Sequence, residues 1–394
     1  MKYLGIETDD LNNLGAIHTA REISQQPEIW EQVGNGIEAQ LPALQAFLSE
    51  ATANVHRILL TGAGTSAFIG ISLRGVFQRN FGLLTEAVPS TDIVSHPKDY
   101  FHKDISTLVV SFARSGNSPE SVAAITLADE LSTRCYHLII TCNSEGQLAK
   151  YQPGSRKYVY CLPPNANDLS LAMTSSYSGM LLAGLLCARI KNFQQCKKMI
   201  ASLVIYGKRI LDHFPTAIKK IANKDFRRAV FLGSGPFYGT ATESHLKLQE
   251  LTDGKVICKS DTFLGFRHGP KAVVNEATIV VYFFSNDDYA LQYEKDLLDD
   301  MQRGTTPMLE VGFSESPFES RLSDLFVLSD GLKVDEEFLC VCYVVPAQIL
   351  GFYKSMQLGL RPDTPSASGA ITRVVQGVEI YTHSSMDMKI NPVL

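Results

Sequence analysis

The chain has 394 residues, of which 45% are hydrophobic and 20% are charged, a balance typical of folded globular proteins. This length fits two or three compact domains. The net charge of −5 provides no electrostatic attraction for nucleic acid or for an acidic membrane surface. A small anionic substrate is still allowed, because phosphate is bound by local N–H and hydroxyl groups rather than by net charge.

The N-terminus and the cysteines indicate a cytoplasmic location. The first ten residues, MKYLGIETDD, lack the apolar core of a signal peptide. The eight cysteines lie mostly in apolar runs, and no CxxC pair occurs. We therefore expect buried thiols in a reducing compartment rather than a metal or redox site.

The first motif follows a helical arm at residues 1–44. In the stretch RILLTGAGTSAFIG, residues 57–70, an apolar strand leads through two glycines into a helix. Gly64, Thr65 and Ser66 place N–H groups and hydroxyls at the helix N-terminus, where the helix dipole also favours an anion. The motif therefore predicts a phosphate-binding turn.

A second polar loop follows the next strand, TLVVSF. Its sequence is SFARSGNSPES, in which Arg114 adds a charge and Ser115 and Ser118 add hydroxyls before the helix that starts at Pro119. Ordinary N-capping is the alternative for either loop alone. Because ligands of open parallel sheets bind at the carboxyl ends of the strands, two such loops favour one shared phosphate site.

A dinucleotide is the competing ligand for the first loop. Gly62, Gly64 and Ala67 satisfy the pattern GxGxxA, and Glu86 stands where an acidic ribose ligand is expected. A dinucleotide site would leave the second loop unexplained, whereas a monophosphate uses both loops. The sequence favours the monophosphate.

A third polar patch, AMTSSYSG, precedes an apolar helix. Its hydroxyl residues Thr174, Ser175 and Ser176 are candidates for contact with sugar hydroxyls. A capped, buried helix explains the same pattern equally well.

The chain repeats itself at an offset of 171 residues. Three strand positions match at this offset: Gly62 with Gly233, Thr107 with Thr278, and Tyr136 with Pro307. In each copy, continuous apolar strands alternate with helices, which predicts parallel strands buried on both faces. We therefore predict an α/β protein with two tandem doubly wound, flavodoxin-like domains related by an internal repeat.

The second copy carries acid–base groups rather than phosphate loops. Glu243, Lys247 and Glu250 follow one another at i, i+4 and i+7 of a predicted helix and share one face. A solvated, salt-bridged surface is the alternative. His268 lies between Arg267 and Gly269 in a loop, which makes it a candidate general acid–base group.

The remaining apolar run, Phe338–Tyr353, is predicted to be a buried helix, because Pro346 and Gln348 interrupt it and it is too short to span a bilayer. The sequence then divides into four parts: a helical arm at 1–44, a first, phosphate-binding domain at 45–207, a second domain with the acid–base residues at 217–360, and a tail at 361–394 over the site.

The segments GAGTS, SFARSGNS and ELTDGK…GFRHGP resemble the tandem sugar isomerase (SIS) domains of sugar-phosphate enzymes, such as the isomerase half of glucosamine-6-phosphate synthase. Together with AMTSS and the tail segment DTPSASG…RVVQGV, they most resemble the bacterial tagatose-6-phosphate ketose/aldose isomerases, a group also described as galactosamine-6-phosphate deaminases. The resemblance covers residues 15–382.

The resemblance implies roles for single residues. Thr65, Ser66, Ser115 and Ser118 match phosphate-loop positions of the synthase, Glu250 matches its proton-shuttling glutamate, and His268 matches its ring-opening histidine. Lys247 is expected to contact the sugar. The family also implies a homodimer, in which the histidine reaches the site of the neighbouring subunit.

Two positions depart from the synthase pattern. Ala113 and Arg114 replace Ser-Gln in its second phosphate loop, and Gln376 stands where it has a Schiff-base lysine. A covalent Schiff-base step is therefore not supported by the sequence.

The sequence thus predicts a cofactor-free isomerase of a 6-phosphosugar, acting with loss of an amino group from galactosamine 6-phosphate. A plain ketose/aldose isomerase, a non-catalytic sugar-phosphate sensor and an NAD-dependent enzyme are the alternatives.

Overall fold

The computed structural model describes residues 1–152, 156–322, 324–329, 331–375 and 377–382. Within this part of the chain, two five-stranded parallel sheets are packed among helices, and a two-stranded antiparallel pair lies at the N-terminus. The predicted α/β class with two doubly wound sheets is confirmed. The small pair consists of β1 (Lys2–Tyr3) and β2 (Ile6–Glu7).

The first large sheet is built from one continuous half of the chain. Its strands are β3 (Arg57–Gly62), β4 (Leu84–Pro89), β5 (Thr107–Ala113), β6 (Cys135–Thr141) and β7 (Arg156–Cys161). They lie in the order β4-β3-β5-β6-β7, all parallel. The loops after β3 and β5 therefore meet at the point where the winding direction reverses, which is where such sheets bind ligands.

The second large sheet has the same topology. Its strands are β8 (Arg228–Gly233), β9 (Ile257–Asp261), β10 (Thr278–Phe283), β11 (Leu309–Ser314) and β12 (Asp324–Val327). Their order is β9-β8-β10-β11-β12, so each strand has a counterpart in the first sheet.

The strand registers refine the predicted repeat. Leu108 pairs with Tyr136 in the first sheet, and Ile279 pairs with Leu309 in the second. Leu108 and Ile279 are 171 positions apart, as predicted, but Tyr136 corresponds to Leu309 and not to Pro307. The connection between the two strands is two residues longer in the second copy. Since a shift of two keeps every side chain on the same face, the sequence pattern did not reveal it.

The edge strands β4 and β9 were not predicted. Each has an exposed apolar residue at its start, Leu84 and Ile257, both 62% exposed. Edge strands are covered less than central strands, so they lack the continuous apolar runs by which the other strands were recognised.

The helices vary from one turn to six turns. They are α1 (Thr8–Leu14), α2 (Ile17–Ser24), α3 (Gln26–Ala39), α4 (Leu41–Ala53), α5 (Thr65–Phe81), α6 (Ser90–Ser95), α7 (Pro97–Tyr100), α8 (Pro119–Leu131), α9 (Gln147–Lys150), α10 (Ser175–Ala188), α11 (Phe193–His213), α12 (Pro215–Ala222), α13 (Phe237–Leu251), α14 (Phe263–Phe266), α15 (Asp288–Asp300) and α16 (Glu336–Gln357). Short 3₁₀ helices occupy Pro164–Ala166, Ile190–Asn192 and Pro270–Val273.

Helix α16 is the centre of the helical packing. It contacts α10, α11, α12 and α13 and contains Pro346. Among the described residues it is the one helix long and apolar enough to cross a membrane, and its apolar window is wholly buried inside the fold. The prediction of a buried helix in this region is confirmed.

Two of the three predicted domain boundaries fall inside helices. Residue 44 lies within α4, and the gap between residues 207 and 217 is covered by α11 and α12, whereas residues 360 and 361 lie beyond the end of α16. The arm and the tail also contact each other, because the Asp363 carboxylate accepts hydrogen bonds from the backbone N–H groups of His18 (3.2 Å) and Thr19 (2.8 Å). The four-part division remains a proposal.

Candidate active site

A cleft of about 450 Å³ lies at the carboxyl edge of the first sheet. The loops after β3 and β5 form one side of it, and helix α13 of the second copy contributes Lys247 and Glu250. The tail segment Gly369–Val375 forms a further wall. Phosphate-loop residues from the first half of the chain and Lys247 and Glu250 from the second half are thus brought into one site.

The turn after β3 requires two glycines. A Cβ on Gly62 would lie 2.7 Å from the backbone of Ser66, so only glycine lets α5 start this close to the strand. Gly64 has a φ of 54°, which favours glycine. Thr65 and Ser66 follow at the start of α5, and both line the cleft.

The loop after β5 is held open toward the cleft. Asn143 donates a hydrogen bond to the Ser115 carbonyl (2.9 Å), and the Ser115 hydroxyl accepts one from the Asn117 backbone (3.2 Å). Ser115 and Ser118 both line the cleft. Ser118 is the N-cap residue of α8, but its side chain makes no capping hydrogen bond. The capping alternative therefore does not describe Ser118, which lines the cleft instead.

The equivalent helix of the second copy differs at this point. Asp287 caps α15 through its own carboxylate, which accepts hydrogen bonds from the N–H groups of Tyr289 (3.1 Å) and Ala290 (3.0 Å). The Glu294 carboxyl group accepts a further hydrogen bond from the Ser285 N–H (2.7 Å). Acidic side chains of the chain itself thus bind the N–H groups at this helix start in the second copy.

The acid–base residues surround one buried ammonium group. Lys247 Nζ lies 2.5 Å from Glu250 Oε2, 3.4 Å from Glu243 Oε1 and 3.1 Å from Thr65 Oγ1. The Glu250 side chain is 23% exposed and faces the cleft, whereas Lys247 and Glu243 are fully buried. The alternative of a solvated face is therefore wrong for this helix.

Burial and charge set the protonation of this cluster. Desolvation raises the pKa of Glu243 to about 8, and the neighbouring charge of Glu250 adds to this, while Lys247 acts in the opposite direction. Burial alone lowers the pKa of the Lys247 amine, but the two carboxylates outweigh it and the pKa ends above its ordinary value. Lys247 therefore stays a cation beside Glu250.

Arg114 reaches the cleft in an arrangement that the sequence did not predict. It is buried, and its guanidinium donates hydrogen bonds to the carbonyls of Ser170 (3.4 Å), Leu171 (3.3 Å) and Arg373. These three partners are backbone groups, so part of its donor capacity is already used within the protein.

Thr174, Ser175 and Ser176 do not line the cleft. All three are fully buried around the Asp168 carboxylate, which accepts hydrogen bonds from the backbone N–H groups of Thr174 (2.8 Å) and Ser176 (2.9 Å) and from the hydroxyls of Ser175 and Ser176. The structure thus places them as the capped start of α10, which was the alternative interpretation. The sugar-contacting role predicted for them is not carried further.

His268 lies apart from this arrangement. His268 is exposed in the turn after α14 and does not line the cleft of its own chain. Gln376, the position matched to the Schiff-base lysine, lies outside the described residues.

The acidic residue required for a dinucleotide is already engaged. Glu86 forms an ion pair with Arg57 (Nη1–Oε2, 2.9 Å) at the start of β3, away from the carboxyl ends of the strands. This placement favours the monophosphate. Among the described residues, no group of three or more histidines, cysteines or acidic residues is arranged to hold a metal ion.

Sequence reasoning missed one part of the cleft wall. Leu171 and Met173 precede α10 and line the cleft, but no local pattern marks them as site residues. The tail was expected over the site, and its segment Gly369–Val375 lines the cleft, although the sequence did not single out these residues within the tail.

Comparisons with known proteins identify the family to which the chain belongs. The sequence profile of the SIS domain matches residues 52–189. The chain is 40% identical over 381 residues to the D-galactosamine-6-phosphate deaminase AgaS of Shewanella sp. strain ANA-3, with 95% of both chains covered.

Solved structures of similar proteins indicate the same family. A crystal structure from Clostridium novyi, named provisionally as a tagatose-6-phosphate ketose/aldose isomerase, matches with a TM-score of 0.93 and 39% identity, covering 97% of this chain and all of that one. The tagatose-6-phosphate ketose/aldose isomerase of Escherichia coli matches with a TM-score of 0.83 and 33% identity, covering 93% and 97%. The chain belongs to the AgaS family of SIS-domain proteins.

Proposed function

We propose that the protein is a galactosamine-6-phosphate deaminase, which converts galactosamine 6-phosphate and water into tagatose 6-phosphate and ammonia. The observation that carries the proposal is the position of Glu250, a carboxylate that faces the cleft opposite two hydroxyl-bearing loops. Its relatives include the deaminase of Shewanella, at 40% identity over nearly the whole chain. With eight free cysteines, the protein suits the reducing cytoplasm.

The phosphate is anchored first. The hydroxyls of Thr65, Ser66, Ser115 and Ser118, with the N-termini of α5 and α8, hold the phosphoryl oxygens. Anchoring one end of a flexible open-chain sugar keeps its C1 and C2 within reach of the carboxylate.

Proton transfer and hydrolysis follow. His268 moves a proton between the ring oxygen and the anomeric hydroxyl, which opens the pyranose. Glu250 removes the proton from C2 and returns it to C1, so the C2 amine becomes an imine. Water adds to this imine, ammonia leaves, and the ketose remains. Lys247, which contacts Glu250, is assigned the binding of a sugar oxygen on which negative charge develops.

We propose that His268 reaches the site of a second subunit, as the family resemblance implies, because it is exposed and does not line the cleft of its own chain. We therefore propose a two-fold homodimer with sites shared between subunits. Mixing inactive Glu250→Gln and His268→Asn proteins under subunit exchange should restore about a quarter of wild-type activity, because half of the dimers then carry one intact site. No recovery, with exchange demonstrated, would exclude a shared site.

Ammonia release decides the reaction. Purified protein is given galactosamine 6-phosphate, glucosamine 6-phosphate and tagatose 6-phosphate in parallel. We expect ammonia from the galacto substrate. Interconversion of tagatose 6-phosphate with its aldose, without ammonia from either amino sugar, would instead indicate a plain isomerase, as the name of the E. coli structure suggests. Binding without any turnover would indicate a sensor.

A further inference from the structure

One wall of the cleft has little apolar support. The segment Gly369–Val375 is largely exposed, with Ile371 at 39% and Val375 at 53% exposure. Burial of side chains therefore contributes little to its placement. Polar contacts must keep it over the cleft.

Two arginines provide those contacts. The Arg114 guanidinium donates to the Arg373 carbonyl, and also to the carbonyls of Ser170 and Leu171. The Arg373 guanidinium donates to the Asp168 carbonyl through Nε (2.9 Å) and to Asn167 Oδ1 through Nη2 (3.1 Å). Arg373 thus connects the segment to the loop at residues 167–171 in two ways. Its carbonyl accepts from Arg114, which also binds that loop, and its own guanidinium donates to that loop.

The 167–171 loop is itself held by contacts with α2 and with the start of α10. The buried Glu22 carboxylate of α2 accepts hydrogen bonds from the backbone N–H groups of Leu169 (2.5 Å) and Ser170 (3.2 Å). The Asp168 side chain is fully engaged at the start of α10. The loop is therefore a firm base to which the tail segment can be attached.

We propose that Arg114 is a positioning residue, which holds the segment Gly369–Val375 against the 167–171 loop and so completes the cleft, instead of serving as the charge partner of the phosphate. The proposal deepens the proposed function and rests on the same cleft. A planar guanidinium reaches three carbonyls of two separate segments at once. A lysine ammonium has three donors but no rigid fork, so it does not replace this contact.

The two roles predict different losses. If Arg114 binds the phosphate, its replacement weakens every phosphate-bearing ligand, including inorganic phosphate. If Arg114 holds the tail segment, the two serine loops remain intact and inorganic phosphate binds as before. Only a ligand large enough to need the tail wall loses affinity.

The test uses the full chain with Arg114→Lys, Arg373→Gln and the double variant. Arg373 serves as the matched partner because it lies on the tail, outside both sheets, so its replacement leaves the folded core intact. Three quantities are measured: the Kd of inorganic phosphate, the KM and kcat for galactosamine 6-phosphate, and the rate of amide hydrogen exchange in residues 369–375.

We expect both single variants to speed exchange in the segment and to raise KM by about tenfold, the scale of one charge-assisted hydrogen bond. The Kd of inorganic phosphate should stay within about twofold of wild type. The double variant should be little worse than the worse single variant, since both contacts hold one segment.

A rise in the Kd of phosphate that matches the rise in KM for Arg114→Lys would overturn the proposal and make Arg114 a phosphate ligand. Unchanged exchange in Arg114→Lys would overturn it as well. Amide hydrogen exchange and phosphate binding are both measured without turnover. The positioning role of Arg114 can therefore be refuted while the deaminase function stands. It can also be confirmed if another phosphosugar proves to be the substrate.

Discussion

Lys247 Nζ lies 2.5 Å from Glu250 Oε2, so the carboxylate that faces the cleft is held by a cation that is itself wholly buried. Lys247 is three residues before Glu250 on α13, and the helix alone fixes their spacing. The base of the proposed reaction therefore stands on a rigid element and not on a loop.

Replacing Glu250 with Gln keeps the shape of the side chain and removes the base. We expect kcat to fall by about 10²–10⁴-fold, the typical contribution of a general base, while KM stays within a few-fold. Steady-state kinetics with galactosamine 6-phosphate measure both. Glu276→Gln, an exposed carboxylate in the turn before β10, is the matched control and should keep full activity. Near-normal kcat for Glu250→Gln would refute its assignment as the base.

Removing the two loop hydroxyls in a Ser115→Ala/Ser118→Ala variant should mainly affect binding. Each lost hydrogen bond to a charged group costs about 1.5–3 kcal/mol, so KM for the phosphosugar should rise at least about tenfold with kcat less affected. The matching measurement is the affinity for inorganic phosphate, which should fall in parallel. An unchanged phosphate affinity would place the phosphoryl group elsewhere in the cleft.

Lys247→Met leaves the Glu250 carboxylate without the buried cation that holds it. Breaking a buried ion pair by removing one partner costs about 3–5 kcal/mol, which urea unfolding will report as a lower free energy of unfolding. Adding Glu250→Gln to Lys247→Met should recover part of this loss, because no unpaired carboxylate then remains. If the double variant is as unstable as both losses added together, the two side chains do not interact as described.

Stability should fall as the pH rises toward 8. Burial, helped by nearby Glu336 and Asp287, raises the pKa of Glu294 to about 8, while the hydrogen bond from the Ser285 N–H acts the other way. The folded state therefore holds this proton more tightly than the unfolded chain does. The stabilisation is complete below the unfolded carboxyl pKa of about 4.3 and is lost as the pH passes the folded value.

Glu294→Gln, which mimics the protonated carboxyl, should flatten the fall in the free energy of unfolding between about pH 5 and pH 8. The slope should become smaller without vanishing, because Glu22 and Glu243 also have a pKa raised to about 8 by burial and remain. Urea unfolding at several pH values measures the slope, with Glu276→Gln as the exposed control. Equal slopes in Glu294→Gln and wild type would show that Glu294 is not protonated in the folded state.

Central strands and the loops that follow them were predictable from local pattern. Strands that are buried along their whole length, such as β5, appear as continuous apolar runs. Glycines such as Gly62 mark where a helix starts close to the end of a strand. Hydroxyl residues before an apolar helix do not show from the sequence whether they line a site or bind a buried group. Ser118 and Ser176 have the same kind of sequence context, yet one lines the cleft and the other binds Asp168.

Contacts between distant parts of the chain were not predictable. Arg114 meets residues 56 and 259 positions away, and Lys247 meets Thr65 across 182 positions. The spacing of Glu243, Lys247 and Glu250 predicted their shared helix face, but not which side of that helix the rest of the fold would cover. The packing of α13 against α5, α16 and the strands β8 and β9 decides that.

The carboxylate of Asp287 at the start of α15 has a consequence for stoichiometry. A duplicated scaffold would ordinarily offer two equivalent anion-binding helix starts, but here the N–H groups of the second already bind the Asp287 side chain. Each polypeptide should therefore take up one phosphosugar and not two, and the halves have separate duties, with one recognising the substrate and the other supplying the groups that transform it.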